Sequence, residues 1–379
     1  MLIILVFFIW WAASMYSPNG INNTAPGTAT TSESSPSSSS LGVSSTSKGG
    51  PSENWLSDNP AFVGNNSKVD YPPEYNVLAN YTLTLINRDR ASAGLNPIAF
   101  SGVPSGQQHA DSMAYYGYLS HWDLQGYKPY MRYTILGGTG LVAENAAYES
   151  CTDSKWQIVQ SCNVQTIENS INDSEWQMMN NDTTCCSNGH RENILNASHN
   201  RVSIGLSYNS TTEVAYLVED FEDSYISSSS LQLSGGVVTF QGSTAQNLTG
   251  WTGSSSGANI VVYYDRTPTN IDVSELAFST SCAQYSELNE PTSCQYQGAY
   301  KPGTQISAIL APCPARYICG TGNFTYAQTW QQNSGSFDIV FSISGFESTY
   351  GSGVYTLYLW PAGDTTDPIT SLSVFVTGG

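Results

Sequence analysis

Apolar residues recur at helical spacing in three stretches of the first half of the chain. The first stretch opens near Tyr71 and ends at Gly94, the second covers 104–116, and the third covers 164–179. Each places its apolar side chains on one side of a helix, with steps of three and four residues. The pattern therefore predicts three amphipathic helices.

Strand patterns follow the helices. Residues 201–208 and 213–221 are typical of two strands of a hairpin that are joined by a polar turn. Between the second and third helices, residues 121–148 are rich in aromatic residues and carry four glycines and a proline. We expect this segment to be an irregular loop that builds a site, because long loops on a rigid scaffold commonly do so. Helices first and strands last predict an α+β domain over residues 70–226.

The pattern changes after the serine run 227–230. Short apolar segments separated by Gly and Ser turns follow, without a useful stretch of helical period, which favours a β-sandwich over residues 231–379. The expected strands are 237–240, 260–264, 337–343, 354–360 and 372–376. The fold class predicted for the whole chain is α+β, with an all-β sandwich at the C-terminal end.

The first residues indicate export. Residues 2–13 form an apolar run too short to span a bilayer, so residues 1–20 are either a cleaved signal peptide or an uncleaved N-terminal anchor. The second alternative stays open because no Lys or Arg precedes the run. Residues 21–69 are dominated by Ser, Thr, Gly and Pro and predict a disordered, Ser/Thr-rich stalk. Both alternatives place the folded part in an extracellular location, secreted or at the cell surface.

The composition narrows the range of partners. Asp and Glu number 30 against 12 Lys and Arg, which gives a formal net charge of -18. Because no basic stripe is present to neutralise phosphates, we expect no nucleic acid partner. Membrane contact is expected only through the N-terminal anchor. The acidity suits a solvated extracellular surface and cationic ligands.

Cysteines and glycosylation sequons agree with export. Eight cysteines are divided equally between the two halves, as disulfides in an exported chain would require, and the pairing within each half stays open. A thiolate zinc site would need two well-spaced Cys-x-x-Cys pairs, which the sequence lacks. The cysteines are Cys151, Cys162, Cys185, Cys186, Cys282, Cys294, Cys313 and Cys319. The sequons that predict a glycoprotein are Asn22, Asn65, Asn80, Asn172, Asn181, Asn196, Asn209, Asn247 and Asn323.

Two polar motifs carry histidines. One is Leu-Ser-His-Trp-Asp at 119–123 and the other is Gly-His-Arg-Glu-Asn-Ile-Leu at 189–195, and Glu144 stands between them in Ala-Glu-Asn. Neutral imidazoles and carboxylates are suitable ligands for a divalent ion such as zinc. The alternative is a hydrogen-bonded cluster of His and Glu that only orders the loops.

Six short motifs occur in a fixed order along the first half, over about 120 residues. They cover residues 85–97, 108–114, 119–123, 143–145, 189–195 and 202–205. In this order they resemble the CAP superfamily of cysteine-rich secretory proteins, venom allergens and plant pathogenesis-related proteins, in its microbial SCP-like extracellular form. The resemblance implies a CAP-type α-β-α sandwich with a central cleft lined by a His/Glu tetrad.

The resemblance also implies which residues form the tetrad. The two histidines are His121 and His190, and the acid of the Gly-Glu-Asn-like motif is Glu144, although Ala143 replaces the usual Gly. The second acid of the family lies on the helix before the last histidine. Glu175 is the candidate there, with Asp182 as the alternative. The family association implies zinc or another divalent cation at these residues.

Other residues near these motifs have weaker assignments. Trp122, Tyr130 and Arg132 are candidates for binding a ligand, although packing of an aromatic loop is the more frequent explanation for the two aromatic residues. The alternatives for Arg132 are pairing with a carboxylate of the site and capping of the loop. His109 lies within the second helix, where a buried structural histidine is expected. His199 precedes a strand, where we expect a solvated side chain.

The favoured function is binding of a divalent metal, together with a small lipid, glycan or peptide ligand that the family resemblance leaves open. One alternative is a metal-assisted extracellular hydrolase of peptides or cell-envelope polymers, with water activated at the metal. No catalytic residue is assigned, because neither Ser120 nor Ser187 lies in a Gly-x-Ser-x-Gly motif. The other alternative is a structural or adhesive envelope protein. The C-terminal domain is expected to contact cell-surface components.

Overall fold

The computed structural model describes most of the chain after residue 74. The described residues are 75–153, 155, 157–159, 162–183, 187–250, 257–276, 296, 302–315, 322–363 and 367–377. The predictions for the signal or anchor, for the stalk and for five of the cysteines (Cys185, Cys186, Cys282, Cys294 and Cys319) lie outside the described residues. Within them, no helix is both long enough and apolar enough to cross a membrane.

The first half of the described chain combines helices with one four-stranded sheet. The helices are α1 Tyr75–Ser92, α2 Ser105–Tyr116, α3 Pro129–Ile135, α4 Val164–Asn180 and α5 Gly189–Ile194. The strands are β1 Ala99–Phe100, β2 Leu141–Ser150, β3 Arg201–Asn209 and β4 Val214–Asp223, in the order β1-β3-β4-β2. Only the short pair β1 and β3 is parallel in this sheet. The three predicted helices and the predicted hairpin are confirmed.

The sheet is covered by helices on both faces. On one face, Ile86 of α1 and Ile171 of α4 pack in a core with Phe221 of β4. On the other face, Met113 of α2 packs with Val218 of β4. Because successive residues of a strand point to opposite faces, β4 supplies apolar side chains to both cores.

Helix α2 lies directly against strand β3. A Cβ atom on Gly106 would lie 2.6 Å from the carbonyl oxygen of Ser203, and a Cβ on Gly205 would meet the backbone of Gly106. The two glycines therefore allow the helix backbone to touch the strand backbone. The approach also lets Gln107 bond the backbone of β3, where its Oε1 accepts the Leu206 N–H at 3.0 Å.

The prediction that residues 121–148 form an irregular loop was wrong. They contain helix α3 and most of strand β2. Pro129, which suggested a break, is the first residue of α3, a position where its missing N–H costs nothing. Strand β2 is rich in Ala, Glu and Asn, which strands usually disfavour, and both of its ends lack the alternation that reveals a half-buried strand.

The described part of the second half contains two further sheets and two short helices, α6 Val273–Leu276 and α7 Ser344–Tyr350. One sheet is β5 Ile226–Ser234, β6 Val237–Thr244, β10 Thr329–Asn333 and β11 Ser336–Ser342, in the order β10-β11-β6-β5. The other is β7 Asn259–Arg266, β8 Thr304–Leu310, β9 Thr325–Tyr326, β12 Gly353–Trp360 and β13 Leu372–Val376, in the order β13-β12-β7-β8-β9. All five strands expected here are present, and the described chain is α+β.

The two C-terminal sheets share one hydrophobic core. Phe240 and Ile339 come from the first sheet, and Ile260 and Leu357 from the second. The serine run that marked the expected domain boundary lies inside β5, which bulges between Ser227 and Ser230. These serines pair with β6 and do not form a linker.

The two halves also contact each other extensively. All described residues belong to one compact unit. Tyr130 and Met131 of α3 are buried in a cluster with Val354 of β12. The backbone N–H of Ser373 in β13 donates to the Thr134 hydroxyl at 3.0 Å. Helix α3 is therefore held between its own sheet and the C-terminal strands.

A disulfide joins Cys151 to Cys162, with a sequence separation of 11. It closes the segment between the end of β2 and the start of α4. Cys313 is also disulfide-bonded. These bonds agree with the expectation of an exported, disulfide-containing protein.

Candidate functional site

His121 is held by a buried ion pair. Its Nδ1 lies 2.9 Å from Oε1 of Glu144, and Arg132 donates from Nη2 to Oε2 of the same carboxylate at 2.6 Å. Arg132 also donates to the backbone oxygen of His121 at 2.9 Å. Glu144 and Arg132 are buried, whereas the His121 side chain is 16% exposed. The imidazole is thus fixed from behind and reaches the surface.

His190 is held in the same manner by a different acid. Its Nδ1 lies 2.7 Å from Oδ1 of Asp182, and its backbone N–H donates to Oδ2 at 2.9 Å. Asp182 is buried and the His190 side chain is 16% exposed. Ser187 and Asn188, just before α5, have positive φ angles of 53° and 72°. The sharp turn they make directs the start of α5 toward Asp182.

The edge strand β2 connects the two histidines. Glu144 and Asn145 are adjacent, so their side chains point to opposite faces of the sheet. Glu144 holds His121 on one face. Asn145 donates to the backbone oxygen of His190 at 3.2 Å on the other, and its Oδ1 accepts from Asn193 at 2.9 Å. The site is therefore built across the edge of the sheet.

The environment keeps His121 neutral. Burial is the main cause that lowers its pKa to about 3, and His190 and Arg132 act in the same direction. Since Nδ1 is engaged by a carboxylate, Nε2 is the nitrogen that a neutral ring would offer to a metal ion.

A second carboxyl group lies behind Glu144. In the register of β2 and β4, Glu144 faces Asp220, and the two carboxyl groups affect each other's pKa. Burial raises the pKa of Glu144 to about 7 against the opposing effect of Arg132. Burial and the neighbouring Glu144 raise the pKa of Asp220 well above its usual value. This pair retains a proton at mildly acidic pH.

Glu175 lies elsewhere. It is fully buried on α4 and lies against the carboxyl group of Glu219 of β4, on the face of the sheet opposite to Glu144. Burial and the facing carboxyl group raise its pKa well above the usual value. The structure brings His121 to Glu144 and His190 to Asp182, and it places Glu175 in a separate acid pair. Of the two acids considered for His190, Asp182 makes the contact.

The three candidate ligand-binding residues differ in exposure. Tyr130 is fully buried, and its hydroxyl donates to Oδ2 of Asp265 at 2.8 Å. Arg132 is buried beside Glu144. Trp122 keeps part of its surface exposed, packs edge-on against Tyr296 with ring centres 5.1 Å apart, and therefore offers a surface beside His121.

The two remaining histidines are both buried. The Nε2 atom of His109 lies 2.7 Å from the backbone oxygen of Ser120, as a structural role predicts. The prediction of a solvated His199 was wrong, because its Nδ1 lies 2.6 Å from Oδ1 of Asp223 and its ring stacks on Phe221. Both partners belong to β4, so only the pairing of β3 with β4 brings them to His199.

The sequence did not reveal the role of the acids in β4. Glu219 and Asp220 are consecutive and buried, and they point to opposite faces of the sheet. Glu219 accepts from Asn145 at 3.3 Å, which ties it to the His190 side of the site. Their only signal was a pair of acids directly after the five apolar residues with which the strand begins.

Within the part of the chain that the structure describes, no group of three or more His, Cys, Asp and Glu side chains is arranged to hold a metal ion. The candidate site therefore consists of two imidazoles, each with a carboxylate behind it. Neither the known protein-family models nor the curated proteins match this sequence.

Proposed function

We propose that this protein is an extracellular, CAP-like binding protein in which His121 and His190 hold a divalent cation, zinc or a similar ion. The observation that supports this most strongly is the pairing of each Nδ1 with a buried carboxylate. Metal-binding histidines usually donate their other ring N–H to a carboxylate or carbonyl, which fixes the tautomer and the ring orientation. Both rings are 16% exposed, so a ligand can reach them, whereas histidines with a purely structural role can be fully buried.

The layer order supports the CAP resemblance. A sheet covered by helices on both faces is the arrangement that an α-β-α sandwich requires. Strand β2, which carries the motif at 143–145, contacts both histidine motifs: Glu144 contacts the His121 ring, and Asn145 donates to the backbone oxygen of His190. These features support our proposal that the described first half is a CAP-type sandwich.

In this proposal the acids orient the ligands and do not bind the metal. Glu144 is fully buried behind His121, and Asp182 is buried behind His190. Two imidazoles leave the remaining positions of a four-coordinate ion to water and to the bound ligand. The metal would thereby supply a Lewis acid that attracts an oxygen-donating ligand.

The bound ligand is best matched by a peptide or glycan. Carboxylate and hydroxyl oxygens complete the coordination of a divalent ion, whereas an acyl chain offers none. The partly exposed Trp122, one residue from His121, provides an aromatic surface on which a sugar ring or an apolar side chain packs. Binding of a lipid would need its polar head group at the metal.

Binding is favoured over hydrolysis by the state of the two carboxylates. A metal-assisted hydrolase needs a base that reaches the attacking water. Glu144 and Asp182, the acids nearest the rings, are engaged by Nδ1 of His121 and His190. A hydrolase would therefore have to recruit a base from the substrate or from another segment.

Zinc titration of the full chain by calorimetry tests the proposal. We expect about one zinc per chain near pH 7, and no measurable binding in the His121→Gln and His190→Gln variants. His199→Gln is the matched control, because it removes an imidazole that lies with Asp223 and not in the site. A parent protein that binds no zinc, or a control that loses zinc as completely as the other variants, would contradict the proposal. Loss of binding without loss of fold is verified by circular dichroism.

A further inference from the structure

Asp265, on strand β7, makes three contacts with polar groups. It accepts from Nζ of Lys128 at 2.6 Å and from the Tyr130 hydroxyl at 2.8 Å. The backbone N–H of Gly303 donates to the same carboxylate at 3.3 Å. The side chains of Lys128 and Asp265 are only 7% and 11% exposed. One carboxylate of the C-terminal half therefore fixes two residues that follow His121 in the chain.

Lys128 also contacts Trp122, the residue that follows His121 in the chain. Its Nζ lies 4.8 Å from the centre of the Trp122 ring, within the range of a cation–π interaction. On the opposite flank, Ser120 donates from its hydroxyl to the backbone oxygen of Tyr296. Residues on both sides of His121 are thus held by the C-terminal half.

The backbone of the same segment is also packed against that half. The N–H of Ile271 donates to the backbone oxygen of Leu124 at 2.9 Å. Gly126 has a φ of +81°, and a Cβ there would lie 2.5 Å from the carbonyl oxygen of Thr269. The segment that carries His121 cannot shift without displacing residues 269–271.

Removal of the Asp265 charge would act on His121 through Lys128. A nearly buried ammonium that loses the carboxylate of its ion pair is destabilised, which favours its movement toward water. Movement of Lys128 takes its charge away from the Trp122 ring. Trp122 is directly bonded to His121, and Arg132 fixes the carbonyl between them.

We infer that the C-terminal strands form part of the His121/His190 site, with Asp265 as a positioning residue for His121. The inference rests on the proposed function for its role in metal binding. It goes beyond that function because it makes the second half a structural requirement of the site. A second half that served only to contact other surfaces would need no buried ion pair to this segment.

The test uses the Asp265→Asn variant of the full chain. Nitrogen NMR of the imidazole rings, of which the chain has four, is recorded without metal, and zinc affinity is measured by calorimetry. We expect the His121 ring resonances to move while those of His190 stay in place. Loss of a residue that directly holds a metal ligand typically weakens metal binding about 10- to 100-fold. Since Asp265 acts on His121 through other residues, we expect Asp265→Asn to weaken zinc affinity by about three- to tenfold.

Asp338→Asn is the matched control, since Asp338 lies on β11 of the other C-terminal sheet and bonds Gln241. It should change neither the resonances nor the affinity. Asp265→Glu retains the charge and should recover part of the affinity. Unchanged His121 resonances and unchanged zinc affinity in a folded Asp265→Asn protein would overturn the inference.

The two proposals fail in different ways. If the parent protein binds no zinc, the proposed function fails, but the His121 resonances of the metal-free variant still decide the positioning role. If Asp265→Asn does not fold, Lys128→Gln removes the ammonium that pairs with the same carboxylate and lies over the Trp122 ring. A shift of the His121 resonances supports the inference in that case, and no shift contradicts it.

Discussion

At the scale of single residues, Glu144 shows how burial and a neighbouring charge oppose each other. It has no exposure to water, and burial favours its protonated form. The bond to Arg132 at 2.6 Å opposes this effect, because the guanidinium is always charged. Burial is the larger effect, so the pKa of Glu144 is raised to about 7 and its carboxyl group is fully ionised only above that pH.

The low pKa of His121 predicts how stability depends on pH. Its value of about 3 in the folded protein lies below the usual 6.5, so protonation favours the unfolded state. The contribution of neutral His121 to the free energy of unfolding is fully present above pH 6.5 and is lost as the pH falls toward 3. Both proteins should lose stability when the pH falls from 7 to 4. We expect the loss in the free energy of unfolding to be smaller in His121→Gln than in the parent, by on the order of 2 kcal/mol.

Urea unfolding at pH 7, 5.5 and 4 measures this difference. Between pH 7 and 9 His121 is neutral in both states, so the difference between variant and parent should stay constant there. An equal loss of stability in both proteins on acidification would show that His121 titrates normally in the folded protein.

At the scale of elements, the contact between α4 and β4 contains an acid pair. Glu175 and Glu219 are fully buried, and burial raises the pKa of both. Because the folded pKa values are raised, this pair favours folding below the usual pKa of Glu, and the advantage is lost as the pH rises. We expect Glu175→Gln, which gives Glu219 an amide donor, to raise the free energy of unfolding at pH 8 by roughly 1–3 kcal/mol.

The gain in the free energy of unfolding of Glu175→Gln should be smaller at pH 5, because Glu175 and Glu219 of the parent already share a proton there. Glu168→Gln on the same helix is the control, since Glu168 is partly exposed and should change stability by less than about 0.5 kcal/mol. Urea unfolding at both pH values is the measurement. A variant that is less stable than the parent at pH 8 would show that the carboxylate of Glu175 has a partner that the amide cannot replace.

The contact between α2 and β3 gives a second prediction for an element. In most helices Gly to Ala is stabilising by about 1 kcal/mol. At Gly106 the new Cβ would lie 2.6 Å from the Ser203 carbonyl oxygen, so we expect Gly106→Ala to destabilise the protein by about 1–3 kcal/mol. Gly102→Ala, where no atom lies within 4 Å of the new Cβ, should be near neutral. Thermal unfolding compares the two, and equal melting temperatures would contradict the close packing.

At the scale of the whole molecule, the parts that the sequence predicts are those with a local pattern. Helical and alternating spacing found α1, α2, α4, the β3–β4 hairpin and the C-terminal strands, because each element carries its own periodicity. The irregular composition of β2 concealed a strand whose ends lack a clear alternation. The partner of His199 could not be predicted from local sequence, because Asp223 lies 24 residues away and reaches His199 only through the pairing of β3 with β4.

The acid that contacts His190 also depends on the three-dimensional fold. Glu175 and Asp182 are both close to His190 in sequence, and nothing in their local patterns separates them. The direction of α4 separates the two acids. It turns Glu175 toward Glu219 of the sheet and leaves Asp182 beyond the end of the helix. The turn through Ser187 and Asn188 then brings His190 back to Asp182.

The burial of α3 between the two halves limits how this protein can change over evolutionary time. Tyr130, Met131 and Tyr133 are covered together with Val354, which belongs to the distant strand β12. A recombination event that replaced everything after residue 226 would leave these side chains facing a foreign surface. New C-terminal halves can therefore be acquired only with a matching apolar face and an acid in the place of Asp265. We therefore expect the two halves to be inherited as one unit, with substitutions at their contact occurring in pairs.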